Sequence, residues 1–354
     1  MKTPKLNLAL TALAVAVTTA SIPASATLIV RSAFNNAALS IDGFGGSSGF
    51  LQSDVPINSI ILKAFLYSSD VNGGGSAGDV TLAGNFLSTA SGTLLAPNAS
   101  PANHLIYDVT SIMKPLIEGT WGLQNHTISE GGFTDGESLV IVYQNASTNG
   151  TAIIMDGELS QGGDTTTLNF ANPYASGDVI MSLASTYSYN GSSNTNATGQ
   201  VTNVDVTTSS TAARRLTSCA GGNDDGNFVA QNGALLTVGG VGDSANNPDP
   251  NCAGGAGDDE LYNLGLGNSA NASPFLQAGD TSISFRTNNP SFDDNVYGLF
   301  FTSTFQISKV DGGDICGGPN GPVCPPTQVP APDGLALLGL GLLGLVPALR
   351  RRSK

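Results

Sequence analysis

Short apolar runs, each closed by turn-forming residues, fill the middle of this chain and set its fold class. Clusters of Gly, Asn, Ser and Asp separate these runs across residues 59–307. An amphipathic helix needs an apolar repeat near 3.6 residues, and no long segment of residues 27–328 has one. The pattern therefore predicts an all-β fold, an antiparallel β-sandwich, and it leaves jelly-roll connectivity open.

Individual strands and turns follow from the same pattern. The run at 59–67 is apolar at both alternating positions, which predicts a strand buried on both faces. A short helix is predicted at 110–118, capped by Asp108 or Thr110 and disturbed by Pro115. The Asn149-Gly150 pair between two apolar runs indicates a hairpin. The other predicted strands are 104–109, 121–123, 139–143, 151–159, 165–170, 178–183, 200–206, 235–238, 281–286 and 297–307.

The folded body is predicted to span residues 27–310. It is either one sandwich or two sub-domains, at about 27–170 and 171–310, and the sequence leaves both arrangements open. Residues 311–328 are rich in Gly and Pro and poor in apolar residues, which indicates an extended linker.

Residues 1–26 have the composition of a secretory signal peptide. Lys2 and Lys5 form a positive start, and residues 6–17 form an apolar run. Ala24 and Ala26 flank Ser25 as an A-x-A cleavage site, which predicts a mature chain that begins at Thr27.

Residues 329–354 form a second terminal signal. An uncharged Leu/Gly-rich segment at 334–349 is predicted to be a transmembrane helix. Its sixteen residues reach about 24 Å, slightly less than the roughly 30 Å hydrocarbon core. Arginines remain on the cytoplasmic side of membranes, so the body is expected outside. A Pro-rich box precedes the segment and an arginine cluster follows it: Val329, Pro330, Ala331, Pro332, then Arg350, Arg351, Arg352.

This order of box, span and arginine cluster resembles the PEP-CTERM sorting signal of Gram-negative bacteria. The chain departs from the family at Ala331, where Glu is frequent. The resemblance implies recognition by an exosortase-like membrane protease, removal of the tail, and delivery to the cell surface or extracellular matrix. It also implies an association with exopolysaccharide and biofilm. A plain C-terminal membrane anchor is the alternative interpretation.

The body also resembles an exported bacterial surface-domain family of unknown function. That resemblance implies a β-sandwich and transfers no catalytic residue. The stretches that carry it are Ala64-Phe65-Leu66-Tyr67, Tyr107-Asp108-Val109-Thr110, Glu137-Ser138-Leu139-Val140-Ile141-Val142-Tyr143, Ile153-Ile154-Met155-Asp156-Gly157, Gly257-Asp258-Asp259-Glu260-Leu261-Tyr262 and Ala278-Gly279-Asp280-Thr281.

Charge excludes one class of partner. The chain carries a formal net charge of −14. Removing the six basic residues and one acidic residue of the two ends leaves 7 basic and 26 acidic residues, a body charge of −19. A surface of this sign repels phosphate backbones, so nucleic acid is not expected as a partner.

The four cysteines predict disulfides, because the chain is expected to be exported. Four cysteines allow three connectivities, and proximity favours Cys219 with Cys252 and Cys316 with Cys324. The first bridge would close a loop of about 33 residues, which contributes on the order of 3–4 kcal/mol to stability in the loop-entropy model.

Acidic loops are the candidate metal sites. Calcium prefers oxygen ligands gathered by tight turns, so calcium is the one cofactor suggested. None of the loops has EF-hand spacing, and solvated acidic loops are the competing interpretation. The candidate ligands are Asp224, Asp225, Asn227, Asp258, Asp259, Glu260, Asp293 and Asp294.

Catalytic patterns are weak. Residues 45–49 match G-x-S-x-G, but a nucleophile elbow needs a strand before it and a helix after it. Residues 43–49 are predicted to be a flexible Gly-rich loop. His104 and His126 are predicted to be surface or capping residues. A glycoside hydrolase would need an acid pair beside aromatic platforms, and the chain has a single Trp, Trp121. No catalytic residue is predicted.

The sequence therefore favours a non-enzymatic protein. We expect an exported structural or adhesive protein of the surface or matrix, held briefly in the inner membrane by its C-terminal helix and associated with exopolysaccharide. A calcium-dependent carbohydrate-binding module is the alternative, and a secreted glycoside hydrolase is a third.

Overall fold

The computed structural model describes most of the predicted body. The described residues are 28–70, 77–95, 103–132, 134, 136–159, 162–186, 202–220, 236–247, 249–251, 260–289, 295–311 and 313–314. The predicted signal peptide (1–26) and sorting segment (329–354) lie outside them. The predicted linker is described only at 311, 313 and 314.

Antiparallel strands make up nearly all of the regular structure in the described segments. The first ten are β1 (Ile29–Asn35), β2 (Ala38–Phe44), β3 (Ser48–Val55), β4 (Ile60–Asp70), β5 (Ala77–Leu82), β6 (Asn85–Leu87), β7 (Thr93–Leu94), β8 (Asn103–Asp108), β9 (Gly122–Gly132) and β10 (Gly136–Gln144). The others are β11 (Thr151–Asp156), β12 (Thr165–Phe170), β13 (Val179–Thr186), β14 (Thr202–Thr208), β15 (Arg214–Ala220), β16 (Leu236–Val238), β17 (Leu261–Asn263), β18 (Ser282–Asn288), β19 (Asn295–Ser303), β20 (Ile307–Val310) and β21 (Gly313–Asp314).

The strands form four sheets, in two pairs that we call the first and second rolls. The first roll has an inner sheet, β2-β10-β4-β8-β7, and an outer sheet, β3-β9-β5-β6. The second roll has an inner sheet, β1-β11-β19-β13-β16, with β17 also paired to β13. Its outer sheet is β15-β14-β18-β12-β20-β21. The all-β, antiparallel prediction is confirmed.

Each roll repeats the same strand order. In the first roll β2, β4, β8 and β10 lie in the inner sheet, whereas β3, β5, β6 and β9 lie in the outer sheet. The second roll repeats this order with β11, β13, β16 and β19 inside and β12, β14, β15 and β18 outside. Such alternation between two facing sheets is the connectivity of a jelly roll. β1 belongs to the inner sheet of the second roll, so the chain enters the first roll between β1 and β2 and returns to the second roll at 145–150.

The inner sheets of the two rolls pack against each other, which gives four layers and three apolar cores. One core lies between the sheets of the first roll, and another lies between those of the second. The central core joins the two inner sheets and includes Phe65, Tyr67, Ile154, Tyr297 and Phe300. Both inner sheets are therefore buried on both faces.

Alternating side chains of β4 and β10 pack into two different apolar cores, one on each face of the sheet. Leu139 and Ile141 face the core of the first roll, and Val140 and Val142 face the central core. In β4, Leu66 and Tyr67 divide in the same way. The prediction that residues 59–67 form a strand buried on both faces is confirmed.

Helix α1 spans Thr110–Ile117. The Asp108 carboxylate accepts a hydrogen bond from the Thr110 N–H at 3.0 Å, which satisfies one free amide of the first turn. Met113 and Ile117 are buried in the core of the first roll. Pro115 lies inside the helix, and the helix ends two residues later.

Two turn predictions have different outcomes. The hairpin predicted at Asn149-Gly150 is wrong, because β10 and β11 belong to different sheets and do not pair. The segment crosses between the rolls instead. The loop predicted at 43–49 is shorter in the structure, because β2 runs to Phe44 and β3 begins at Ser48. Ser47 of the G-x-S-x-G match lies in the short link between these strands. A strand follows Ser47 where a nucleophile elbow would need a helix.

Gly150 is required by close packing at this crossing. An added Cβ would lie 1.6 Å from the Ser303 carbonyl oxygen. The Gly150 carbonyl accepts hydrogen bonds from the Asn36 N–H at 2.6 Å and from Gln306 Nε2 at 3.1 Å. The crossing is therefore fixed against one end of the second roll's inner sheet, where β1 and β19 end.

We expect Gly150→Ala to lower the free energy of unfolding by about 1–3 kcal/mol or more, because the backbone must move to admit the methyl group. Gly131→Ala is the matched control. Its Cβ would meet only the Asp79 carbonyl at 3.4 Å, an ordinary contact, so its effect should stay within about 0.5 kcal/mol. Chemical denaturation measures both. Equal effects of the two substitutions would contradict the packing at Gly150.

Candidate functional site

A cavity of about 370 Å³ lies where the edge strand β2 of the first roll meets the second roll. Its volume is near the lower end of the roughly 300–1,000 Å³ range of small-ligand pockets. Strands β13, β17 and β19 form part of its wall, and residues 239–243 form another part. The polar side chains that line it are Ser40, Asp54, Tyr143, Ser182, Asp243 and Thr302.

Residues 239–243 pack their backbone directly on β2. The Val241 N–H donates to the Ile41 carbonyl at 2.8 Å. A Cβ at Gly240 would lie 2.1 Å from that same carbonyl oxygen, so only glycine permits the approach. Asp243 Oδ2 accepts a hydrogen bond from the Gly240 N–H at 2.5 Å and holds the turn. The cavity wall is therefore built on main-chain contacts between the rolls.

The side chains that line the cavity provide a ligand with hydrogen-bond donors and with one hydrogen-bond acceptor. The Ser40 hydroxyl accepts from the Asp54 N–H at 2.9 Å, and the Thr302 hydroxyl accepts from the Leu39 N–H at 3.1 Å. Each hydroxyl proton is thus free to be donated elsewhere. Burial and the negative Asp54 raise the pKa of Tyr143, so its phenol also remains a donor. The Asp54 carboxylate is exposed and accepts.

A second polar group lies between the inner sheets. His104 Nδ1 and Glu158 Oε1 are 2.6 Å apart, and both side chains are fully buried. The His104 ring stacks on Tyr297 at 4.7 Å, and the Tyr297 hydroxyl lies 2.8 Å from Ser138 Oγ. His126 is also buried and lies 2.9 Å from Ser53 Oγ. The prediction that both histidines are surface or capping residues is wrong.

This buried group contains the residue types of a hydrolase catalytic site, but its side chains are not exposed to solvent as those of such a site are. Ser69 lies opposite His104 in the register of β4 and β8, so Ser, His and Glu are neighbours. A nucleophile beside a base that a carboxylate orients is the arrangement of covalent hydrolases. All three side chains are fully buried, so a substrate does not reach them in this structure. Their geometry supports a role in packing.

The Asp156 carboxylate is contacted from both rolls, by Arg31 of the second roll and Tyr67 of the first. Arg31 in β1 forms an ion pair with Asp156 in β11. The Tyr67 hydroxyl, from the first roll, donates to Asp156 at 2.7 Å. Burial raises the pKa of Asp156, whereas the Arg31 charge and both hydrogen bonds oppose that rise. A buried carboxylate of this kind is tolerated because it is paired and hydrogen-bonded.

Two carboxyl groups meet inside the first roll. Glu137 is the second residue of β10 and is fully buried, and its carboxyl group lies close to that of Glu130 in β9. Burial, and then the charge of Glu130, raise the pKa of Glu137 well above its usual range. Burial and the nearby Asp79 and Glu137 raise the pKa of Tyr107 to about 12. The apolar sequence around Glu137 gave no sign of this acid pair.

The structure tests little of the predicted calcium set. Glu260 is the only member among the described residues; it is fully buried, and its carbonyl accepts from the Leu183 N–H at 2.9 Å. Where the chain is described, no three His, Cys, Asp or Glu side chains gather into a metal site. The other candidates lie outside the described residues: Asp224, Asp225, Asn227, Asp258, Asp259, Asp293 and Asp294.

The predicted disulfide and sorting residues also remain predictions. The Cys219 backbone lies in β15, and Cys252, Cys316 and Cys324 lie outside the described residues. So do Ala24, Ala26, the box at 329–332 and the arginines at 350–352. Within the described segments, no helix has the length and apolar character needed to cross a membrane.

Comparisons with known proteins do not assign a family. No protein-family model matches the chain, and no curated protein matches it. One solved structure it was compared with is titled "Crystal Structure of the STIV MCP", with 11% identity over 77% of this chain and 96% of that one. The TM-score is 0.17, which is too low to support an inference about fold or function.

Proposed function

We propose that this protein is an exported structural or adhesive component of the cell surface or extracellular matrix. Its terminal segments support export and sorting, as a signal peptide and a PEP-CTERM-like tail with a transmembrane span at 334–349. The structural observation that carries the non-enzymatic part is the packing of two jelly rolls through a central core. That packing joins both rolls over an apolar layer and encloses the neighbouring Ser69, His104 and Glu158.

The proposed route has two membrane steps. The signal peptide directs the chain across the inner membrane, where the C-terminal helix holds it until an exosortase-like protease removes the tail. The acidic body is then released among surface polymers. Its net negative charge keeps it soluble and suits a neutral polysaccharide better than an anionic one.

Mass spectrometry of surface material tests this route. We expect mature peptides to begin at Thr27 and none to extend beyond Pro332, because cleavage should remove both terminal segments. Deletion of residues 329–354 from the natural gene serves as the control and should leave the body out of the surface fraction. Intact termini on a cytosolic pool with reduced thiols would overturn the proposal.

Carbohydrate binding is the second candidate, and the cavity at the junction of the rolls favours it. Sugar hydroxyls pair well with a carboxylate that accepts and with hydroxyls that donate. Asp54, Tyr143 and Ser40 provide these groups together, beside partly exposed apolar side chains such as Leu39 and Leu261. A ligand of neutral, polyhydroxylated chemistry fits this lining.

A glycan array with and without calcium tests this candidate. We expect binding of neutral glycans to weaken by about tenfold or more in Asp54→Asn, because a hydrogen bond to a charged group contributes roughly 1.5–3 kcal/mol. Tyr143→Ala should weaken binding by a smaller factor, because a neutral hydrogen bond contributes about 0.5–1.5 kcal/mol. Asp205→Asn is the control, since Asp205 pairs with Arg215 on a different sheet. Absence of glycan binding, or equal binding by all variants, would argue against the cavity as a sugar site. Loss of binding with chelator would support the calcium-dependent form.

A further inference from the structure

Four polar side chains point into one end of the first roll. Glu137 and Ser68 lie directly opposite each other in the register of β10 and β4. Both share a face with core residues two positions away, Leu139 and Leu66, so both point toward the outer sheet. Glu130 follows Ile128 at the same spacing in β9, and it points inward from the other side.

Tyr107 completes this group from β8. Its ring is part of the first-roll core, and its position opposite Leu66 places it one strand from Ser68. Burial, then the negative charges of Asp79 and Glu137, raise the pKa of its phenol to about 12. Glu137, Ser68 and Tyr107 are all buried, with 0%, 0% and 3% of their surface exposed.

Three side chains of this group, those of Glu137, Ser68 and Tyr107, are buried without a hydrogen bond to any described residue. Among the described residues, neither Glu137 oxygen, nor Ser68 Oγ, nor the Tyr107 hydroxyl has a hydrogen bond. An unsatisfied buried polar atom costs about 1–3 kcal/mol, and a buried charge costs more. Three such side chains on adjacent strands indicate that something else satisfies them together.

We propose that a divalent hard cation of the calcium class binds between Glu130 and Glu137, with Ser68 and Tyr107 providing further oxygen atoms. The two carboxylates balance the charge of the ion, which removes the cost of burying them. Calcium takes 6–8 oxygens and readily completes its shell with carbonyls and water, so two carboxylates suffice as its charged ligands.

The competing explanation is a proton shared between the two carboxyl groups, and it provides hydrogen bonds for fewer of the buried polar atoms. One proton shared with Glu130 would satisfy Glu137, but the hydroxyls of Ser68 and Tyr107 would remain without hydrogen bonds. A cation accepts oxygen ligands from all four side chains at once. This site is separate from the acidic loops predicted from the sequence, and it does not depend on the proposed surface role.

Thermal unfolding and calorimetric titration of the mature protein with calcium chloride, after chelator treatment, test the site. We expect calcium to raise the unfolding midpoint by several degrees, since a ligand that binds only the folded state stabilises it. Glu137→Gln should bind calcium at least about tenfold more weakly while it still folds, because the amide keeps the shape of the acid. Ser68→Ala is the second variant and should weaken binding in the same direction.

Two controls separate this site from others. Glu118→Gln removes a carboxylate that pairs with Lys114 on the helix, and it should leave the calcium response unchanged. The double variant Asp258→Asn, Asp259→Asn removes the candidate calcium ligands of one acidic loop. A response retained in this variant supports the site between Glu130 and Glu137, whereas a response lost in it would overturn the proposal. A wild-type protein that does not respond to calcium would overturn the proposal and favour the shared proton. A full response retained in Glu137→Gln would overturn it as well.

Discussion

The apolar contact between the two inner sheets is the constraint on which the rest of this structure depends. A sheet in a two-layer sandwich has one face toward the core and one toward water. Here β4, β10, β11 and β19 carry large apolar side chains on both faces, including Leu66 with Tyr67 and Phe300 with Phe301. Such sheets are stable in water only if something covers their second face. Each roll provides that cover for the other, and the cavity at the edge of β2 exists because the rolls meet there.

Much of the architecture was predictable from local pattern, because strands and helices leave periodic signals. Such signals predict the strand at 59–67 and the short helix that contains Pro115. Apolar residues at both odd and even positions of 59–67 correctly indicate that this strand is buried on both faces. Pairing was not predictable, because local sequence does not state which sheet a strand joins. Asn149-Gly150 has hairpin chemistry, but the adjoining strands belong to different rolls. Strands β1 to β3 were missed because polar residues interrupt their apolar alternation.

The polar interior was the least predictable part. His104 precedes an apolar run, and nothing in the local sequence shows that Glu158, from the other roll, would lie beside it. Glu137 is the second residue of a strongly apolar strand, and a charged residue so close to the start of a strand is usually exposed. Only the packing of β9 across from β10 reveals its acid partner. By contrast, the acidic loops predicted to be metal sites lie outside the described residues, apart from Glu260. Within the described residues, the buried carboxyl groups of Glu137 and Asp156 lie in strands with a strongly apolar sequence, where a charge pattern gives no signal.

Calorimetric unfolding of the mature protein tests most directly whether the two rolls form one body through their central core. If they do, the wild-type protein unfolds in a single transition whose calorimetric and van't Hoff enthalpies agree. Leu168→Ala, a cavity in the outer core of the second roll, should then lower the midpoint of that whole transition. Two separate transitions, with only one of them shifted by Leu168→Ala, would contradict the account.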